Sequence, residues 1–302
     1  MSIIISDKTN QMKDEWVSDV PEEKYHADKT AVSSSSLRLI HTESEKHFYS
    51  RFIKGDEVEQ TEPMRLGKMI HLAVLEGDKF TSRYVIEPVF EGLTKDGKMS
   101  TRSSAAAEKK AEWYANLDPG ALVVTQNERD MLFGVIDSVM NHADAMDFIR
   151  GSEREVSGYY TDKATGIRCR IRPDIKHDAD GVLGEVKSTR SCKKNDFMWQ
   201  MIRQGWDFQL AMYYSGMEAI NKKPPVAAFF LAVEKVKPYP VAVYVMDIGS
   251  LDWAQTNYFN SLKRLKNCIE TDKWRPYQER WQHIAIPEKM MEQPTEEGQD
   301  DE

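Results

Sequence analysis

The sequence contains few cysteines and no long apolar run. Its 302 residues include three cysteines, Cys169, Cys192 and Cys268, and no C-x-x-C pair. Such spacing excludes a disulfide framework and a structural zinc site, and it predicts a reducing cytoplasm. No stretch approaches the roughly 18 apolar residues that span a membrane, and no signal peptide opens the chain. We therefore expect a cytoplasmic protein with no membrane partner.

The sequence also lacks an excess of positive charge. Its 41 lysines and arginines face 49 aspartates and glutamates, which gives a net charge of −8. Proteins that coat nucleic acid in bulk are usually basic, so this balance argues against that class. It does not exclude an enzyme that acts on DNA, because the local field in a cleft decides binding. The acidic end of the chain, residues 286–302, is predicted to be a disordered tail.

The rest of the composition fits one folded domain. The chain is 40% hydrophobic and 30% charged, which is ordinary for a globular protein, and it is long enough to bury a full core. Residues 1–24 are mostly polar and contain few apolar side chains that could anchor them in a core. We therefore predict a flexible N-terminal arm that lies over the domain. Residues 25–285 are predicted to form the domain itself.

Strand and helix patterns alternate along this domain. Residues 226–233 form a continuous apolar run typical of a buried strand, and residues 239–246 alternate as a strand does. Residues 194–220 and 250–271 carry apolar side chains at helical spacing. Residues 88–105 are rich in glycine, lysine and serine and are predicted to be a mobile, basic loop. The fold class is therefore α/β, with a central mixed β-sheet flanked by helices.

One stretch, from Ile167 to Lys187, carries acidic and basic side chains in a strand pattern. Its first half alternates apolar residues with arginines, as in a strand with one buried face. Asp178–Gly181 supplies the residues of a turn. We therefore predict a β-hairpin, paired on its outer side with a strand over residues 153–161. Asp174 would end its first strand.

Two carboxylates and an ammonium would meet on this hairpin. Lys187 follows Glu185 by two residues, so both side chains point to the same face. Adjacent carboxylates, here Asp174 and Glu185, repel each other unless a cation lies between them, and Mg²⁺ fits oxygen ligands best. A lysine beside that ion can orient or deprotonate a water and offset charge on a phosphate. Because a lone pattern of this kind is more often a salt-bridged turn, other motifs must identify the site.

Two helices carry further candidate residues. The segment 62–75 is helical, with Pro63 in its first turn, and it places Gly67 and His71 on one face. His71 can bind a metal through a ring nitrogen, although a helical histidine is more often a core or surface residue. A later helix places Gln209 and Tyr213 four residues apart, again on one face.

A run of four serines precedes another predicted helix. Ser33 to Ser36 form an N-cap region, and the free N–H groups of a helix start suit a phosphate. Ser34 and Ser36 are therefore candidate DNA contacts. Serines at such a position more often serve only to cap the helix.

The order of these motifs resembles the RecB-like branch of the PD-(D/E)xK nucleases. The motifs are Gly67-x-x-x-His71, Arg172-Pro173-Asp174, Glu185-Val186-Lys187 and Gln209-x-x-x-Tyr213. Together with the serine run, the layout over residues 25–285 is similar to that of the RecE-type exonuclease domains. The resemblance implies a PD-(D/E)xK restriction-endonuclease-like core.

The resemblance also implies an activity and its partners. It implies a Mg²⁺-dependent 5′→3′ exonuclease that acts on double-stranded DNA ends, with Mn²⁺ expected to substitute. Such an enzyme leaves 3′ single-stranded overhangs for a RecT-like single-strand annealing protein in DNA recombination. A homo-oligomer is implied as well, in the form of a ring-shaped tetramer.

By the same resemblance, each motif residue has an expected role. The expected metal ligands are His71, Asp174, Glu185 and the backbone carbonyl of Val186. Asp174, Glu185 and Lys187 are expected to be the catalytic residues, with Lys187 positioning the water. Gln209 and Tyr213 are expected to hold the strand that is cut.

Two alternatives remain open. The first is an endonuclease or junction resolvase on the same core, which the histidine helix and the later Q-x-x-x-Y helix argue against. The second is a non-catalytic DNA-binding protein on a nuclease scaffold. The presence of Asp174, Glu185 and Lys187 together argues against it, because decayed nucleases usually lose at least one of the three.

Overall fold

The computed structural model describes residues 13–56 and 61–288. The strands are β1 (Glu15–Val17), β2 (Tyr84–Ile86), β3 (Gly92–Leu93), β4 (Met99–Ser100), β5 (Leu122–Val124), β6 (Ser157–Thr161), β7 (Arg168–Ile171), β8 (Ile175–His177), β9 (Val182–Thr189), β10 (Ala227–Glu234) and β11 (Val241–Val245). The helices are α1 (Glu22–Ala27), α2 (Ser34–Thr42), α3 (Glu45–Phe48), α4 (Glu62–Leu75), α5 (Gly77–Arg83), α6 (Ser104–Ala115), α7 (Gln126–Met140), α8 (Ala143–Ile149), α9 (Lys194–Gln204), α10 (Trp206–Asn221) and α11 (Ile248–Thr271). A π-helical turn, Tyr49–Lys54, follows α3.

The central sheet has four strands in the order β11-β10-β9-β8. β9 and β10 run parallel, while β8 and β11 pair antiparallel at the two edges. The connection between the parallel strands contains α9 and α10, because parallel neighbours need a long crossover. The predicted α/β class, with a mixed sheet flanked by helices, is confirmed.

The two faces of this sheet pack against different helices. Along β10, Phe230 lies in one core with residues of α2, α10 and α11. Its neighbours Phe229 and Leu231 lie in a second core with residues of α4, α7 and α8. A Cβ at Gly184 of β9 would lie 2.2 Å from the Phe229 ring, so only glycine allows this close approach. The continuous apolar run of β10 therefore reflects burial on both faces.

The predicted hairpin over Ile167–Lys187 is wrong in its first strand. β7 pairs antiparallel with β6, and β6 pairs with β1, which makes a separate three-stranded sheet. The hairpin is formed instead by the short strand β8 with β9, around the predicted turn at residues 178–181. Pro173 lies between β7 and β8; it lacks an N–H and cannot continue a ladder. Asp174 consequently precedes the first strand of the hairpin rather than ending it.

Part of the N-terminal segment pairs with later parts of the chain. β1 pairs with β6, and the Trp16 indole N–H donates to Asn221 at 2.8 Å. Lys68 of α4 pairs with Glu22 of α1 at 2.7 Å. Residues 1–12 of this arm, like residues 289–302 of the predicted tail, lie outside the described residues.

Three arginines join the domain to the N-terminal segment. They are Arg168, Arg170 and Arg172. Arg168 pairs with Asp14 at 3.2 Å, and Arg172 donates to the carbonyl oxygen of Val20 at 2.8 Å. The Arg172 guanidinium also lies 4.1 Å from the centre of the Tyr25 ring. These contacts give the arginines a structural role, since a cation stacked on an aromatic ring and bonded to backbone is held in place.

Several shorter elements differ from the predictions. The predicted loop over residues 88–105 contains the antiparallel pair β3 and β4, and the chain also forms a parallel pair, β2 with β5, that the sequence patterns did not indicate. The helices α4, α9, α10 and α11 lie where they were predicted. Among the described residues, no helix is both long and apolar enough to cross a membrane.

Candidate active site

Asp174 occupies the point where the chain crosses from one sheet to the other. Its side chain is buried, and its Oδ2 atom accepts a hydrogen bond from the Val186 amide at 2.7 Å. Its own amide lies 3.4 Å from Oε1 of Glu185. Burial raises the pKa of Asp174, but the charge of His71 and the bond from Val186 outweigh it, so the pKa lies below its usual value. Asp174 is therefore held as a carboxylate beside β9.

His71 reaches this carboxylate from α4. Its Nδ1 atom lies 3.2 Å from Oδ2 of Asp174. A Cβ at Gly67, one turn earlier, would lie 3.8 Å from the Ser188 hydroxyl, so the bare backbone of α4 comes near β9 there. Burial lowers the pKa of His71, whereas the charge and hydrogen bond of Asp174 raise it and prevail. The predicted pairing of the histidine helix with the carboxylates is present in the structure.

A third acidic residue, Glu155, joins this group and was not predicted. Ligand atoms of His71, Glu155 and Asp174 all lie within 4.8 Å of one another. Glu155 has a φ angle of 54°, a region that residues with a Cβ rarely adopt and that often marks functional sites. Burial and the charges of Asp174 and Glu185 raise its pKa to about 8. A signal existed in the acidic pair Glu153 and Glu155, at the start of the strand predicted over residues 153–161.

Lys187 lies on the other side of the site, held by two partners. Its Nζ atom donates to Oε2 of Glu185 at 2.7 Å and to Oε1 of Gln209 at 2.9 Å. The same atom lies 5.9 Å from the centre of the Trp206 ring. Burial and the charge of Asp174 raise the pKa of Glu185 to about 7, although Lys187 acts in the opposite direction. The ammonium is thus fixed by a carboxylate and an amide before any substrate is present.

The predicted helix pair of Gln209 and Tyr213 is brought to this lysine. Nε2 of Gln209 donates to the Tyr213 hydroxyl at 3.1 Å, while its oxygen accepts from Lys187. Tyr213 is 5% exposed. Burial and the charge of Glu185 raise the pKa of its hydroxyl well above the usual value. The described contacts connect both residues to Lys187, and their contact with a DNA strand stays a prediction.

The two candidate serines have different surroundings. Ser33 caps α2 in a capping box, in which the Ser36 hydroxyl accepts from the Ser33 amide at 3.0 Å and donates to its carbonyl oxygen. This supports the capping interpretation for Ser36. Ser34 lines a surface cavity of about 140 Å³ together with Arg38 and Gln209. Within the described residues the Ser34 hydroxyl has no hydrogen-bond partner, so it remains available to a ligand.

The acidic side of the site suits a divalent cation. Glu155 and Asp174 offer carboxylate oxygens, the ligands that hard divalent ions prefer, and His71 adds one imidazole nitrogen. Burial and the neighbouring carboxylates raise the pKa values of Glu155 and Glu185, and a bound cation would favour the ionised form of both. Glu185 lies next to the group but is bonded to Lys187. Its predicted role as a ligand, like that of the Val186 carbonyl, stays a prediction.

The fold and the residues of this site place the chain in the PD-(D/E)xK nuclease superfamily. The chain belongs to the family described as "PDDEXK-like domain of unknown function (DUF3799)", whose model matches residues 33–285. No curated protein matches the chain.

Two solved structures are similar to this one. A "putative exonuclease" from Eubacterium rectale aligns with a TM-score of 0.58 at 16% identity, over 91% of this chain and 98% of that chain. At this identity the match supports the fold. The structure of SSO0001 aligns over 52% of this chain and 69% of that chain, with 13% identity and a TM-score of 0.26, a score too low to support an argument.

Proposed function

We propose that this protein is a Mg²⁺-dependent exonuclease that degrades duplex DNA from its 5′ ends. The observation that carries the proposal is the arrangement of Lys187, which is bonded to Glu185 and Gln209 beside the group of His71 and Asp174. Carboxylates that can hold a divalent cation, next to a fixed ammonium, are the arrangement that phosphodiester hydrolysis needs. The particular likeness to RecE-type domains is part of this proposal.

The residues of the site divide the chemistry between them. A divalent cation bound by His71, Glu155 and Asp174 would polarise a phosphate oxygen and lower the pKa of a nearby water. Lys187 orients the attacking water or offsets the negative charge that develops on the phosphate. Gln209 keeps the ammonium directed into the site through its 2.9 Å hydrogen bond.

The cavity beside Gln209 supports recognition of a DNA end. It is lined by Ser34 and by Arg38, whose guanidinium donates through Nη1 to the carbonyl oxygen of Gln204 and could donate to a phosphate through its other N–H groups. Ser34 also lies in the first turn of α2, where free N–H groups and the helix dipole favour an anion. A terminal 5′-phosphate held here would place the first phosphodiester bond near Lys187. Such geometry favours removal of nucleotides from the 5′ end over cleavage within a duplex.

The product of this activity sets the expected partners. Digestion from 5′ ends leaves 3′ single-stranded overhangs, which a single-strand annealing protein of the RecT type would bind. Exposed apolar side chains on α9 and in the C-terminal segment, including Trp199 and Trp281, offer surfaces for a homo-oligomer such as the ring-shaped tetramer.

Digestion of end-labelled linear duplex tests the proposal. The duplex carries a label at either the 5′ or the 3′ end, a covalently closed circle is the control, and Mg²⁺ and EDTA are compared. We expect early release of the 5′ label with Mg²⁺, no release with EDTA and an intact circle. A cut circle would favour the endonuclease. Absence of cleavage with every divalent metal would favour the non-catalytic DNA-binding protein.

A further inference from the structure

A group of cations lies where the two parallel strands of the central sheet, β9 and β10, end. β9 and β10 are parallel and in register up to the pair Thr189 and Glu234, so the next residues, Arg190 and Lys235, leave the sheet side by side. Three residues after Arg190, the chain starts α9 with Lys193 as its N-cap. We call this set the basic edge; its members are Arg190, Lys193, Lys194 and Lys235.

Within the described residues, no member of the basic edge makes an ion pair. The neighbouring carboxylates are engaged elsewhere: Glu234 accepts from the Cys192 amide at 2.6 Å, and Asp196 accepts from the Ser191 hydroxyl at 2.8 Å. Burial and the charge of Arg190 lower the pKa of Lys235, which agrees with two like charges placed close together.

Other cations of the protein have carboxylate partners. Arg65 pairs with two carboxylates, and the buried Lys176 does the same. In a chain with a net charge of −8, carboxylates are abundant. Like charges without a counter-ion raise the energy of the folded state, and such clusters are usual where a protein binds a polyanion.

The basic edge begins just after β9, the strand that carries Glu185 and Lys187. Arg190 follows Lys187 by three residues, and a strand rises by about 3.3 Å per residue, so the two Cα atoms are about 10 Å apart. That distance equals about three base-pair steps of duplex DNA, at 3.4 Å per step. A duplex whose end lies at Lys187 can therefore bring its backbone phosphates to the basic edge.

We propose that the basic edge binds the phosphate backbone of duplex DNA, about three base pairs from the bond that is cut. This inference rests on the proposed function, since it takes duplex DNA as the substrate. It adds a surface that holds the substrate through phosphates alone, so that binding there is independent of base sequence.

Binding of a fluorescent blunt duplex, measured by anisotropy at several salt concentrations, tests the inference. Ca²⁺ replaces Mg²⁺ to keep the DNA intact. The variant is Arg190→Glu with Lys235→Glu, and the matched control is Lys163→Glu, an exposed lysine in the turn between β6 and β7. We expect at least roughly tenfold weaker binding by the double variant at low salt, with a slope of log affinity against log salt that is shallower by about 2. The control should match the wild type.

Thermal unfolding separates an effect on binding from an effect on folding. Arg190→Glu alone replaces a repulsion with an attraction to Lys235, so its melting temperature should equal or exceed that of the wild type while DNA binding weakens. If the double variant unfolds, the neutral pair Arg190→Gln with Lys235→Gln takes its place, with a slope again shallower by about 2.

The outcomes distinguish this inference from the proposed function. Wild-type binding with an unchanged affinity and slope in the variant would overturn the basic edge and leave the exonuclease proposal intact. An equal loss in the Lys163→Glu control would also overturn it, because general charge would then explain the effect. A wild-type protein that binds no duplex at any salt concentration would overturn both.

Discussion

The two sides of the active site balance their charges in different ways. On one side, two carboxylates, Glu155 and Asp174, lie close to each other and to the imidazole of His71. On the other side, the ammonium of Lys187 is already satisfied by Glu185 and an amide. The first side is therefore the proposed place for an added cation, whereas the second is organised by the protein's own hydrogen bonds. Variants of the two sides should differ accordingly in their dependence on metal.

The largest effect is expected from Lys187→Ala. It removes the group that orients the water and offsets phosphate charge, so kcat should fall by roughly 10³-fold or more. Duplex affinity and metal affinity should change little, because the acidic side is intact. Single-turnover digestion together with a binding titration measures both. Full activity in this variant would contradict the assigned role of Lys187.

Glu155→Gln tests the acidic side and the residue that the sequence did not indicate. Loss of one carboxylate should weaken Mg²⁺ affinity by about 10- to 100-fold, and a high Mg²⁺ concentration should restore part of the activity. Isothermal titration calorimetry with Mg²⁺ measures the affinity. The matched control is Glu218→Gln, an exposed glutamate on α10. Unchanged metal affinity would remove Glu155 from the metal site.

Gln209→Ala decides between two roles for the amide. If it holds Lys187, as its 2.9 Å hydrogen bond indicates, kcat should fall by about tenfold with KM unchanged. A change of this size corresponds to the loss of one hydrogen bond to a charged group. If Gln209 instead holds the DNA strand, as the family resemblance implies, KM should rise. Steady-state kinetics on a short duplex separates these results. A Lys187-directed role would be contradicted by a change in KM alone.

The smallest effect concerns stability without metal. The pKa values of Glu155 and Glu185 are raised to about 8 and about 7, so the folded state binds protons more tightly than the unfolded state. The contribution of these two groups to the free energy of unfolding should then be greatest below about pH 4 to 5 and should be lost as the pH rises towards 8. Melting curves in EDTA should show a decline of a few degrees. Mg²⁺ should reduce the decline, and Glu155→Gln should flatten it.

Much of the site followed from the sequence because its residues lie close together along the chain. Asp174, Glu185 and Lys187 fall within 14 positions, and the strand period places Lys187 beside Glu185. His71 and Gln209 were placed by helical spacing together with the order of the motifs. The structure brings each of these residues to the same point.

Other features depended on contacts that spacing does not encode. Glu155 lies two residues before β6, which pairs with β7, and its own backbone is left-handed. Both features bring its side chain to the site. The division of the predicted hairpin follows from Pro173, which ends one sheet and allows the next to begin. The interpretation of Ser36 was decided by the capping box, since its hydroxyl is used within the helix start.

During synthesis, the N-terminal segment has to wait for its partners. Asp14 accepts a hydrogen bond from Thr161, 147 residues further along the chain, and Trp16 donates to Asn221, 205 residues further along. At ribosomal rates of about 5–20 residues per second, Asn221 emerges roughly 10–40 s after Trp16. Until β6, its partner strand, has emerged, the backbone of β1 has no native neighbour and can pair with other chains. β1 is therefore made before the strand and the helix that hold it, and a fast ribosome or a bound chaperone would protect it.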